Sequence, residues 1–251
     1  MSYGGYGGAP AGPPTLRSAL AAVHADGRWW AKCLGYGAAA LTGFGLPLAA
    51  GFVMESLDNT RRGFPTPLPP WSDPSLRWLT GLFCLLIDFA FFVLPVLVGA
   101  VLLLCVSVGL VMTASAVSSL SGAALFLIAG LALVVLAGMF AAGVAPAGRL
   151  IFAREGKVED AISARTLRWA LAEPQRGPFL RARLASLPAY LPAALLGGVT
   201  AALTPIGFAG QVPAMLVGLW LTLAALVYAH LVTVQLYVAA EHEAQRRALG
   251  M

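Results

Sequence analysis

The chain has 251 residues, of which 59% are hydrophobic and 11% charged, and its mean hydropathy is +0.81. A soluble domain is about 45–50% apolar and about 25% charged, so this composition excludes an ordinary water-soluble globule and indicates an integral membrane protein. The net charge of +5 does not point to nucleic acid, because the basic residues are scattered among apolar runs where they would orient the chain against a lipid bilayer. The three cysteines, Cys33, Cys84 and Cys105, lie in apolar surroundings without CxxC or Cys/His spacing, which fits small core residues and neither a disulfide framework nor a metal site.

Residues 1–14, rich in glycine and proline, read as a disordered lead-in without the basic start and apolar block of a cleavable signal peptide. Leu16, Ala19, Leu20 and Val23 then share one helical face, which predicts a short amphipathic helix at the membrane surface, with Trp29 and Trp30 at headgroup level. The first apolar run, about 33–54, contains "TGFGLP" at its middle. If this run crossed once, Arg17, Arg28 and Lys32 would lie opposite every other basic cluster, against the positive-inside rule. A re-entrant hairpin turning at Gly43, Gly45 and Pro47 keeps all of them on one side. A fifth conventional span is the other reading, since glycine and proline are also common in ordinary membrane helices.

"RRGFPTPLPPW" follows. Its Pro65, Pro67, Pro69 and Pro70 forbid a helix and favour an extended strap, with Arg61 and Arg62 at the cytoplasmic face and Trp71 at its far end. Ser72 or Asp73 is placed to cap the next helix, with Pro74 in its first turn. Between Trp78 and Arg149 the only charged residue is Asp88. This desert predicts two full spans, about 79–112 with a kink at Pro95 and about 123–147, joined by the polar turn 113–122. Residues 149–183 hold eight basic side chains against four acids, which places this loop in the cytoplasm, and 159–174 reads as a helix opened by acids. Two more spans, about 185–203 and 213–238, lead to a cytoplasmic tail, 246–251. The expected architecture is an all-α polytopic bundle: four full spans, one re-entrant or fifth span, and an interfacial layer, all in one membrane domain over 15–245.

Asp88, well inside an apolar run, is a candidate proton or cation site, or else a carboxyl paired with a neighbour such as His230 or Arg77. His230 and Gln235 form a polar set in the last span, better suited to hydrogen bonds between helices than to metal binding. The sequence presents no nucleophile, acid/base pair or metal cluster, and so no enzyme and no cofactor is expected.

The order of "GFVMESLDNTRRG", "PLPPW" and "VLPVL", with the later "IFAREGKVEDAISARTL", "PIGFAG" and "YAHLVTVQLYVAAE", resembles bacterial and archaeal membrane proteins grouped as domain-of-unknown-function family 4013. The resemblance runs from about residue 16 to 245. It departs at Gln235, which the family precedes with glycine and this chain with valine. It implies a multi-span membrane fold and no known activity. Together these features predict a non-catalytic membrane scaffold or accessory subunit of the bacterial cytoplasmic membrane, with both termini inside. A small-solute or ion permease or channel is the alternative. The expected partners are the lipid bilayer and either a membrane protein or further copies of the chain.

Overall fold

The computed structural model describes residues 15–93, 143–203 and 212–250, with single positions at 97, 100, 101, 104, 105 and 130. The tail 1–14, the Pro95 kink, the turn 113–122, most of the spans expected around it, and the link 204–211 lie outside the described residues. Among the described residues all regular structure is helical.

Helix α1, Leu16–His24, starts where the Thr15 hydroxyl accepts the Ser18 amide at 3.2 Å. Ala19 and Val23 are buried and Leu16 and Leu20 pack beside them, as an i, i+4, i+7 face requires. The run that follows is not one helix. It divides into α2, Trp29–Leu41, and α3, Leu46–Arg61. Gly43 takes φ +71°, and the Thr42 hydroxyl accepts the Gly45 amide at 3.1 Å. Tyr36 stacks on Phe52 with centroids 4.1 Å apart. The two rings stand at nearly equal chain distance from the break, so α2 and α3 fold back on each other as a hairpin. At 1.5 Å per residue the arms are roughly 20 and 24 Å long, each short of the roughly 30 Å hydrocarbon layer. Gly43→Ala should lower stability by about 1–2 kcal/mol, because a Cβ in the left-handed region meets its own carbonyl. Thermal unfolding in detergent checks this, and an unchanged midpoint would mean that the turn relaxes.

Helix α4, Pro74–Asp88, leads into a π-helical turn, Phe89–Val93. The expected side-chain cap is absent. Asp73 sits in the left-handed region at φ 46°, whereas a capping carboxylate needs an extended backbone to reach the first free amides. Glycines let α3 and α4 meet backbone to backbone, with Gly81 against the Pro47 carbonyl and Gly51 against the Arg77 carbonyl.

Helix α5, Val144–Glu155, is bounded by Gly143 and Gly156, both with positive φ. The helix expected over 159–174 is two pieces, α6, Val158–Ala161, and α7, Ala164–Leu171. Ser163 breaks it: its hydroxyl donates to the Asp160 carbonyl at 2.8 Å and accepts the Thr166 amide at 3.4 Å.

Helix α8, Arg176–Ser186, continues through a 3-10 turn, Leu187–Tyr190, into α9, Leu191–Leu203. The chain ends on α10, Val212–Ala248. Among the described residues three stretches are long and apolar enough to cross a membrane: Pro74–Val93, Arg176–Ala202 and Val212–Ala248. The core lies around the second half of α10, where Leu231, Val232, Val234, Leu236 and Val238 are buried against α3, α8 and the turn after it.

Candidate functional site

Asp88 occupies the last turn of α4 and Arg149 the middle of α5. The Arg149 Nε donates to Asp88 Oδ1 at 3.1 Å and its Nη2 donates to Oδ2, a two-pronged charge-assisted pair. This corrects the expected partners of Asp88, since neither His230 nor Arg77 makes the pair. Arg77 instead bonds Glu55, with Nη2 2.6 Å from Oε2, and also reaches the Tyr36 hydroxyl and the Pro70 carbonyl. Sixty-one residues separate Asp88 from Arg149, which sequence position alone could not join. One signal was present: Arg149 stands inside "PAGRLIF", apolar on both sides, unlike the rest of the basic loop.

His230, on α10, does belong to the same site. Its Nδ1 lies 3.3 Å from the Tyr190 hydroxyl, which is also 3.2 Å from Thr233 Oγ1. Asp88, Arg149 and His230 line two cavities at once, one of about 320 Å³ and one of about 150 Å³. The three side chains therefore form a polar partition between two spaces. Gln235 is not part of it. Its amide donates to Ser56 Oγ at 3.3 Å and its carbonyl accepts from Thr60 Oγ1 at 2.9 Å, tying α10 to α3. Among the described residues no group of three or more His, Cys, Asp or Glu side chains is placed to hold a metal.

The proline strap is held by its carbonyls, a consequence of proline having acceptors but no amide donors. Asn59 donates to Pro67 O at 3.2 Å, Lys32 to Pro69 O at 2.8 Å, and Arg77 to Pro70 O at 2.9 Å. Trp71 stacks on Tyr36 at 4.9 Å and lies on Gly35, where no Cβ obstructs it. Pro67 and Pro69 are buried, while Pro65 is exposed. Arg61 and Arg62 are engaged within the protein, with Glu241 at 3.2 Å and Asp58 at 2.7 Å.

Lys32, absent from the expected set, is the pin of the strap. It is buried and also pairs with Asp26 at 2.6 Å. Burial pushes the Asp26 carboxyl up, but the Lys32 ammonium, the Arg28 amide and both positive charges outweigh it and hold the group below its ordinary value. A depressed carboxyl stabilises the fold above its unfolded pKa, and that contribution disappears as pH falls through the folded value. Lys32→Met should therefore loosen the strap at neutral pH. Limited proteolysis should cut residues 62–73 several times faster in the variant, and an unchanged cleavage pattern would show that Asn59 and Arg77 suffice.

A family model described as "Protein of unknown function (DUF4013)" matches residues 36–201. The match covers the hairpin from Tyr36 onward, the strap and the partition residues Asp88 and Arg149, but neither His230 nor the two C-terminal pieces of the resemblance. No curated protein and no solved structure matches the chain.

Proposed function

The chain belongs to the DUF4013 family of proteins of unknown function, and from its own geometry we propose that it is a polytopic protein of the bacterial cytoplasmic membrane acting as a non-catalytic scaffold or accessory subunit. The observation that carries this reading is how its buried charges are used. Arg77 with Glu55 joins α4 to α3, Arg149 with Asp88 joins α5 to α4, and Glu241 with Arg61 joins α10 to α3. Each pair braces two helices, which suits a fixed frame better than a path along which charges must exchange partners. The α2–α3 hairpin enters and leaves on the cytoplasmic side, keeping the basic clusters together. At 37 residues α10 is roughly 55 Å long, well beyond the roughly 30 Å hydrocarbon layer. Its last turns then lie at the cytoplasmic end of the frame, tied to α8 where Glu243 meets Arg181 at 2.6 Å.

Purification from the native membrane in mild detergent, with co-purifying proteins identified against an untagged control, tests the proposal. A stoichiometric membrane partner is the expected result. A bare monomer or homo-oligomer would move the weight to a small-solute or ion permease, the reading favoured by Asp88, Arg149 and His230 lining both cavities. Topology has its own test: Ser2→Cys should resist an impermeant thiol reagent in intact cells, and labelling from outside would overturn the re-entrant hairpin.

A further inference from the structure

The polar chain that ends on His230 leaves one of its ring nitrogens without a donor. Thr233 Oγ1 lies 2.8 Å from the Ala229 carbonyl and 3.2 Å from the Tyr190 hydroxyl, which in turn lies 3.3 Å from His230 Nδ1. Each hydroxyl has one proton, and it rotates to suit its neighbours. One arrangement makes all three contacts: Thr233 donates to the carbonyl, Tyr190 donates to Thr233, and His230 Nδ1–H donates to Tyr190. A neutral imidazole in that tautomer carries a bare lone pair on Nε2. Among the described residues nothing donates to it.

Tyr190 lines the larger cavity alone, whereas His230 lines both. With Nδ1 turned to Tyr190, Nε2 on the other edge of the ring is turned to the smaller cavity. This space of about 150 Å³ is walled by Ala50, Val53, Leu85, Leu223 and Val227. Leu46 also lines it and is 41% exposed, so the space reaches the surface of the hairpin. Its one acid and one guanidinium compensate each other, because both Asp88 oxygens accept from Arg149. The lining therefore offers apolar walls, no uncompensated charge, and an acceptor in want of a donor.

We propose that the smaller cavity takes the head of a neutral lipid-like alcohol, whose hydroxyl donates to His230 Nε2 while its first carbons lie against the apolar walls. An apolar cavity of this size holds a molecule about as large as benzene, so a hydroxyl and a few methylenes fit and the rest of the chain lies outside. A carboxylate, an ether or an ester brings no donor for Nε2 and leaves the lone pair buried and unmet. An ammonium brings donors but finds no counter-charge, since Asp88 is already neutralised by Arg149. The site rests on the membrane reading above, which gives the alcohol its route of entry, but not on the scaffold role.

The test is native mass spectrometry of the purified full chain with three probes that share one hydrocarbon chain: oleyl alcohol, oleyl methyl ether and oleate. Wild type should take up one oleyl alcohol per chain saturably, and the ether and oleate at least about fivefold more weakly, as expected when one buried hydrogen bond is lost. His230→Phe keeps a ring and removes the acceptor, so it should weaken the alcohol to the level of the ether and leave the ether unchanged. Ala50→Leu, which narrows the cavity, should weaken both. The comparison of alcohol with ether uses wild-type protein alone, so a folding defect in a variant does not remove the test. Equal uptake of alcohol and ether, tighter uptake of oleate, no saturable uptake of the alcohol, or unchanged alcohol binding in a folded His230→Phe would each overturn the proposal. The readout is made on the isolated chain, so the absence of a protein partner does not bear on it.

Discussion

Gly81→Ala is expected to destabilise the protein by about 3 kcal/mol or more, although alanine is the better helix former by about 1 kcal/mol. A Cβ at Gly81 would overlap the Pro47 carbonyl and crowd the Gly51 amide. Overpacking usually costs about 1–3 kcal/mol when side chains can move aside. Here the obstacle is backbone on a facing helix, so relief requires α3 and α4 to separate. That separation would disturb the Arg77–Glu55 pair and, beyond it, the anchoring of Pro70. Gly198→Ala, in α9, is the matched control. Nothing lies within 4 Å of a Cβ there, and the propensity gain alone should leave stability unchanged or slightly raised. Thermal unfolding of both variants in one detergent decides the matter: equal midpoints would mean that the α3–α4 approach is looser than the structure has it.

Local features of the fold were readable from the sequence because local chemistry determines them. Gly43, Gly45 and Pro47 mark the break in the first apolar run, and Leu16, Ala19, Leu20 and Val23 mark the packed face of α1. Ser163 also acts locally, but its effect was hidden because a serine after "EDAI" is compatible both with a helix interior and with a new cap. Asp73 misled for a related reason. Its side chain suits a cap, but the strap delivers it in a backbone conformation that places the carboxylate elsewhere.

The site was legible only in part, and the division follows sequence distance. An isolated acid in an apolar run must find compensation, so Asp88 could be singled out, and His230 likewise as a polar group in an apolar helix. Which cation compensates Asp88 depends on how α4 and α5 are packed, and no periodicity encodes that. Lys32 was overlooked because its charge was assigned to orientation, whereas its ammonium satisfies carbonyls that four prolines leave without amide partners nearby. A proline-rich segment in an apolar protein therefore calls for a search for donors, and buried Lys, Arg and Asn elsewhere in the chain are the places to look.

The pair at the partition predicts the second large effect. Arg149→Met should cost about 3–5 kcal/mol, because it strands a carboxylate in an apolar setting, and Asp88→Leu should cost a comparable amount by leaving the guanidinium without its counter-charge. The double variant Asp88→Leu/Arg149→Met removes both charges and should recover most of the loss, since a buried ion pair replaced by packed apolar groups is often neutral. Unfolding of the four proteins gives a coupling energy, expected to be about 2 kcal/mol or more for groups in direct contact. Simple additivity of the single losses would mean that the two charges are satisfied independently. The double variant also separates the two functional readings. A scaffold needs the brace and not the charges, so the refolded double variant should still retain its partner on purification. A permease needs the partition's charges and would lose transport in a protein whose melting is close to wild type.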